Sequence, residues 1–198
     1  YSLTALQNKA ALPAYLPLTA LLGDTRFELR APEESDVAQM HALFSEMIEE
    51  GQSWPFEQQL DRAEFSAYFL GSYPFVVCQE DSPEVLGMFY IKSNFPGRCA
   101  HVCNGGFITR PSHRRRGIGR FMAESFLRLA KDVGFKSVMF NLVFANNVPS
   151  LHLWRSLGFT ELGVVPNAAR LKGIEGLVDA HMFYYDLTRE RRDRSSRA

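Results

Sequence analysis

The chain has 198 residues, with 22 basic and 22 acidic side chains and so no net formal charge. That balance argues against nucleic acid as the main partner, because phosphate backbones are bound by an excess of positive charge. A 46% hydrophobic and 22% charged composition suits a globular domain with a full core, and no uninterrupted apolar run approaches the ~20 residues of a membrane span.

Residues 1–23 carry no acidic side chain, and the apolar stretch 12–22 is interrupted by Pro13 and Pro17. Residues 1–25 read as an N-terminal extension packed on the domain as a strand or loop, with a targeting remnant as the alternative. Residues 27–30 read as a short strand. Ser35 is placed as the N-cap of an amphipathic helix marked by Val37, Met40, Phe44, Met47 and Ile48 and ended by Gly51. A loop at 52–55 contains Trp54. Residues 56–70 read as a second helix, with Leu60, Phe65, Tyr68 and Phe69 on its apolar side. Residues 75–79 and 85–92 form a hairpin across the Asp81-Ser82-Pro83 turn. After a loop at 94–97, residues 101–109 form the next strand, where Gly105-Gly106 suggests a bulge capped by Asn104.

Next comes Arg114-Arg115-Arg116-Gly117-Ile118-Gly119, between that strand and a helix whose stripe is Met122, Phe126, Leu129, Ala130 and Val133. A strand, a glycine turn and a helix start in that order make an anion cradle. Free backbone N–H groups converge, and the helix dipole adds positive charge. The arginines add charge-assisted donors. A P-loop is excluded, since no Lys-Ser or Lys-Thr follows either glycine. A dinucleotide fingerprint is excluded because Met122 occupies the third glycine position.

Gly134 is placed just past the helix end. Residues 137–144 form a mostly apolar strand interrupted by Asn141, and Asn146-Asn147 opens a short helix with Pro149 in its first turn. Residues 162–165 and 177–187 are late strands. Residues 189–198 are an arginine-rich tail expected to be disordered. Cys78, Cys99 and Cys103 are too few and too odd in number for a disulfide framework, which suits a reducing compartment, cytoplasmic or mitochondrial. Cys99-x-His101-x-Cys103 is not read as a metal site. Alternate strand residues stand ~6.5 Å apart, too far for ligands sharing one zinc at ~2.3 Å.

Arg114-x-x-Gly117-x-Gly119, preceded by Pro111, resembles the pyrophosphate loop of the GCN5-related N-acetyltransferase (GNAT) superfamily, whose ligand is acetyl-CoA. Asn147-x-x-Ser150-Leu151-x-Leu153-Trp154-x-x-x-Gly158-Phe159 resembles that superfamily's second block, N-x-x-A-x-x-L-Y-x-x-x-G-F. The resemblance implies an α/β GNAT fold over residues 26–188. Its mixed, mostly antiparallel central sheet is flanked by helices and splayed between the family's strands four and five, here 101–109 and 137–144. It also implies cofactor contacts at Phe107, Ile108, Thr109, Arg114, Arg115, Arg116, Gly117, Ile118, Gly119, Arg120, Asn147 and Trp154.

A finer resemblance is to the L-azetidine-2-carboxylate N-acetyltransferases, which acetylate toxic proline analogues and cis-4-hydroxyproline. It rests on Leu86-Gly87-x-Phe89-Tyr90-Ile91-Lys92, Arg98-Cys99-x-His101-x-Cys103-Asn104-x-Gly106-Phe107, Phe140-Asn141-Leu142-Val143-Phe144 and Val178-Asp179-Ala180. It implies that Asn104 and Asn141 hold the amine substrate, with Trp54 beside them, and that Asn147 touches the cofactor. The reaction would be direct attack of the amine on the thioester, with the oxyanion held by a backbone N–H near Phe107. The partners expected are a small-molecule amine and a second copy of the chain as a homodimer, with neither nucleic acid nor membrane.

Trp154 stands where the superfamily has a proton-donating tyrosine, and an indole N–H releases no proton. His101, Glu50 and a water chain are alternative proton acceptors for the amine. Cys103 is a weak candidate nucleophile with no base at a fixed spacing. Two other functions stay open: acetylation of a polyamine or peptide N-terminus, and non-catalytic acyl-CoA binding.

Overall fold

A computed structural model describes residues 10–189; residues 1–9 of the extension and 190–198 of the basic tail lie outside the described residues. The strands are β1 (Leu18–Leu22), β2 (Thr25–Arg30), β3 (Tyr73–Gln79), β4 (Val85–Ser93), β5 (Val102–Thr109), β6 (Ser137–Phe144), β7 (Thr160–Ala169) and β8 (Val178–Asp186). They form one sheet in the order β1-β2-β3-β4-β5-β6-β8-β7. The β5–β6 pair is parallel and the others are antiparallel. The helices are α1 (Glu34–Glu50), α2 (Arg62–Phe65), α3 (Ile118–Asp132) and α4 (Val148–Ser156).

Two cores cover the two faces of the sheet. Phe89 and Ile91 of β4 pack with α3 residues such as Met122 and Phe126. Met88 and Tyr90, alternating with them, pack with α1 residues such as Met40 and Phe44. Each fully buried aromatic of this kind contributes ~1.5–3 kcal/mol. The segment ahead of β1 lies against α3: the Tyr15 hydroxyl bonds Asp132, and the Arg128 guanidinium lies 3.8 Å from the Tyr15 ring centroid.

Two helix starts differ from the sequence expectation. The N-cap of α1 is Glu33, two residues before Ser35. Asp36 decides this: its carboxylate accepts from Arg30 at 2.6 Å and from the Glu33 N–H at 2.7 Å. Burial raises the Asp36 pKa, but the bonds from Arg30 and Glu33 outweigh it and hold the carboxyl below its usual range. The expected helix over 56–70 is much shorter. Asp61 accepts from the Glu64 N–H at 2.8 Å and starts α2 there. A π turn, Ser66–Leu70, completes it.

The sheet opens between β5 and β6. They pair at Val102↔Ser137 and Cys103↔Val138, and then diverge. Beyond that point β5 stays in register with β4, from Ser93↔Cys103 to Gly87↔Thr109. The register is continuous, so Gly105-Gly106 is not a bulge. Packing requires these glycines instead. A Cβ on Gly105 would stand 2.5 Å from Phe126 Cε2 and 2.8 Å from the Tyr90 carbonyl oxygen. One on Gly106 would stand 2.2 Å from Trp54 Cη2. The pair lets α3 press on one face of β5 and Trp54 on the other. Gly105→Ala is expected to lower stability by ~1–3 kcal/mol, the scale of overpacking, because one obstructing atom is backbone. A urea-denaturation midpoint equal to the parent's would refute this.

Candidate active site

Alternation along β5 decides what faces the opening. Asn94 N–H to Val102 O and Arg110 N–H to Leu86 O, each 2.8 Å, bracket its ladder with β4. The even-numbered residues between them spend their backbone groups on β4. Gly105, Phe107 and Thr109 therefore aim N–H and C=O towards β6, which has moved away. The Gly105 N–H is taken by the Asn104 side chain at 2.8 Å. The Phe107 N–H faces the gap, where it suits an oxyanion.

Asn104 and Asn141 are brought together, but through a residue the sequence reading placed in a plain loop. Asn94 and Asn141 form a reciprocal amide pair, Nδ2 to Oδ1 at 2.9 Å one way and 2.6 Å the other. Asn104 donates to Asn94 Oδ1 at 3.1 Å. The cluster replaces ladder bonds lost in the splay. Without partners, half-buried amides would cost roughly 1–3 kcal/mol each. Each amide keeps one N–H for a further acceptor. Asn94 was hard to find, because an asparagine before Phe95-Pro96 reads as turn punctuation. Strand alternation, which carries Tyr90 and Lys92 on to Asn94, is the signal that could have found it.

Asn104 and Asn141 line a cavity of about 230 Å³, with Trp54, Tyr68, Tyr90, Phe107 and Trp154 among its walls. The lining holds no Asp, Glu, His, Lys or Arg. Tyr68 and Tyr90 share a hydroxyl–hydroxyl bond of 3.1 Å. Burial pushes both phenols above their usual range, so they stay neutral. Asn146 Nδ2 donates to the Gln52 carbonyl at 3.1 Å, tying the loop that carries Trp54 to the far end of β6.

Thr109 and the loop lie at the other end of the gap. Gly117, at φ +85°, is the N-cap of α3 and supplies no side-chain cap. The first-turn N–H groups of Ile118, Gly119 and Arg120 are thus available to an anion. A Cβ on Gly119 would meet only Thr109 Oγ1, at 3.9 Å. No protein atom demands a glycine there, whereas a phosphate on the backbone would. The arginines divide. Arg114 pairs with Glu50 at 3.2 Å, Arg116 reaches Thr25 Oγ1 at 3.4 Å, and Arg120 pairs with Glu124 at 3.3 Å. Arg115, at φ +65°, is exposed. Ile108 points the other way, into the α1 core.

Asn147 is the N-cap of α4, accepting from the Ser150 N–H at 3.3 Å, and it lines the same cavity. Trp154 is buried in an aromatic stack, 4.5 Å from Phe140 and 5.1 Å from Phe107 between ring centroids. The proposed proton acceptors are not brought to the cavity. His101 is exposed before β5, at the closed end of the splay, and Glu50 is held by Arg114. Cys103 is fully buried on the α3 side, where burial pushes its thiol up, which removes it as a nucleophile. Among the described residues no group of three or more His, Cys, Asp or Glu could hold a metal, and no helix is long and apolar enough to cross a membrane.

A strand pair that opens over free backbone donors, beside an uncapped helix start, suits an extended ligand with a phosphate at one end. Comparison with known proteins agrees. The profile of the acetyltransferase (GNAT) family matches residues 38–159. The N-acetyltransferase aca1 of Schizosaccharomyces pombe is 45% identical over 155 residues, covering 70% of this chain and 74% of that protein. The L-amino acid N-acyltransferase MnaT of Escherichia coli is 31% identical over 103 residues, 52% of this chain and 59% of that protein. A GCN5-related N-acetyltransferase from Kribbella flavida superposes with a TM-score of 0.76 at 27% identity, over 81% of this chain and 97% of its own. Further structures of the fold hold acetyl-CoA. The chain belongs to the acetyltransferase (GNAT) family. It is an N-acetyltransferase, and its donor is acetyl-CoA.

Gly119→Val is expected to weaken acetyl-CoA binding at least tenfold, about 1.4 kcal/mol, by filling the open space over the helix start. Calorimetry on the folded variant checks this, and unchanged affinity would contradict it. Trp154→Phe keeps a ring in the stack and removes the N–H. Since the indole cannot act as an acid, kcat should fall by well under the ~10²-fold typical of losing a proton donor.

Proposed function

We propose that the acceptor is a small cyclic secondary amino acid, such as L-azetidine-2-carboxylate, cis-4-hydroxy-L-proline or a similar proline analogue. The observation that carries this reading is the cavity, small and walled by neutral amides and aromatic rings. A polyamine needs carboxylates to offset its charges, and the lining has none. A compact ring suits a space of about 230 Å³ closed by Trp54. The name of the Escherichia coli relative, an L-amino acid N-acyltransferase, supports the same substrate class.

The chemistry follows from the geometry. The acceptor nitrogen, once neutral, attacks the thioester carbonyl carbon. The oxyanion forms against the Phe107 N–H. The C–S bond then breaks, the amide remains on the acceptor, and the surplus proton leaves through water. A thiol has a pKa near ~8.5, so the thiolate departs acceptably without a protein acid at Trp154. Holding both reactants in one cleft supplies much of the rate by proximity. Asn104 and Asn141 offer their remaining N–H groups to the acceptor, and Asn147 faces the donor.

Thiol release from acetyl-CoA, with cis-4-hydroxy-L-proline, spermidine and a short peptide as competing acceptors, tests the substrate class. The cyclic amino acid should be preferred, and a preference for either of the others would overturn the reading. Asn104→Ala and Asn141→Ala should each lower kcat/KM for the amine by roughly 1.5–3 kcal/mol, with the KM for acetyl-CoA nearly unmoved. Asn147→Ala should show the opposite pattern. If Asn141→Ala instead lowers the melting temperature sharply and leaves the kinetics of the folded fraction intact, its role is confined to the asparagine cluster.

A further inference from the structure

Lys92 sits beside the cavity in a setting that its packing does not explain. It faces the α1 side of β4, two residues after Tyr90 and two before Asn94, and its register partner on β5 is Asn104. Its ammonium nitrogen lies 4.1 Å from the centroid of the Tyr68 ring and 4.6 Å from that of Tyr90. Among the described residues it has no ion-pair or hydrogen-bond partner, and burial alone lowers its pKa from the usual lysine value. A lysine that merely covered apolar surface would stretch its head into water. Here the head itself rests on two aromatic faces, and both rings line the cavity.

An amino-acid acceptor brings a carboxylate. Taking that charge out of water is costly unless an opposite charge meets it. The amides of the cavity can bond the carboxylate but cannot neutralise it, and the lining carries no cation of its own. Lys92, whose ammonium rests on two of the lining rings, is a cation without an ionic partner next to that lining.

We propose that Lys92 anchors the carboxylate of the acceptor, so that the enzyme selects amino acids over amines lacking an acid group. This rests on the amino-acid reading above. The two rings hold the ammonium by cation–π attraction while the site is empty. When substrate arrives, the carboxylate takes up its free donors, and the acceptor nitrogen is directed away from Lys92 towards the gap at Phe107. The same positive charge repels polyamines.

The test compares acceptors in matched pairs, L-azetidine-2-carboxylate with its carboxamide and L-methionine with its carboxamide, on the parent enzyme, Lys92→Met and Lys92→Arg. The parent should favour a carboxylate over its carboxamide by tenfold or more in kcat/KM. Lys92→Met should raise the carboxylate's KM at least tenfold, erase the preference, and leave the KM for acetyl-CoA and for the carboxamide within about twofold. Lys92→Arg should retain part of the preference. A carboxylate preference confined to the methionine pair and lost in Lys92→Met would sustain the anchor and overturn the cyclic-substrate reading. Absence of a Lys92-dependent preference in both pairs overturns the anchor. So does an equal loss for carboxylate and carboxamide in Lys92→Met. Calorimetric acetyl-CoA affinity, expected to match the parent's in both variants, separates these outcomes from a loss of fold.

Discussion

Two register pairs hold β5 to β6, and the site exists because the strands part after them. A parallel pair continued to Thr109 would consume the N–H groups of Gly105, Phe107 and Thr109 in a ladder, leaving nothing to receive a thioester. Opening a sheet is expensive, because each freed backbone group in a buried place must find another partner. The structure meets that cost in two ways. Asn104 turns back on the Gly105 N–H, and the amides of Asn94, Asn104 and Asn141 close the bottom of the opening on one another. What remains free is the part of β5 that a ligand would occupy. Structural and functional roles of these asparagines are thus not rivals: the bonds that satisfy the splay also fix the donors an acceptor would meet.

A second constraint follows from keeping β5 straight. With β6 gone from one edge, β5 is held by β4 alone along its length, and by pressure on its two faces. Gly105 and Gly106 let Phe126 and Trp54 come that close. Trp54 then walls the cavity, packed against Phe44, Tyr68 and Tyr90. The aromatic wall that shapes the cavity is accordingly the same packing that supports the unpaired strand. This ties the shape of the cavity to the loop at 52–55, which local propensity alone would leave mobile.

Most of the frame could be read from the residues. Short apolar runs bounded by turn residues located β3, β4 and β6, and the stripe from Met122 to Val133 located α3. The mixed sheet and its splay followed from the resemblance carried by the loop and the second block. The misses share a cause: side chains whose roles are set by particular partners that residue type and periodicity do not reveal. Leu60, Phe65, Tyr68 and Phe69 mimic a long helical stripe, yet their spacing serves the core under β4, and Asp61 sets the real start. Ser35 is a good cap by type, but Asp36 is committed to Arg30 on β2, which moves the start of α1. Gly105-Gly106 has the composition of a bulge, while its reason is the bulk of Phe126 and Trp54, 21 residues downstream and 52 upstream of those glycines. Asn94 belongs to the site through residues ten and 47 positions away.

The same reasoning bears on the arginines of the loop. Three adjacent guanidinium groups read as phosphate ligands, but Arg114 is spent on Glu50 at the end of α1 and Arg116 on Thr25 and the face of Phe27. Exposed pairs of this kind contribute ~0–1 kcal/mol each, too little to matter for the fold. Their effect is local: they tie the loop to α1 and to β2. On this reading the donor's phosphates would be met mainly by backbone N–H groups at the start of α3. Arg115, exposed beside them, adds charge that salt can screen. The backbone cradle, in contrast, is built into the strand–turn–helix junction and persists whatever the ionic strength.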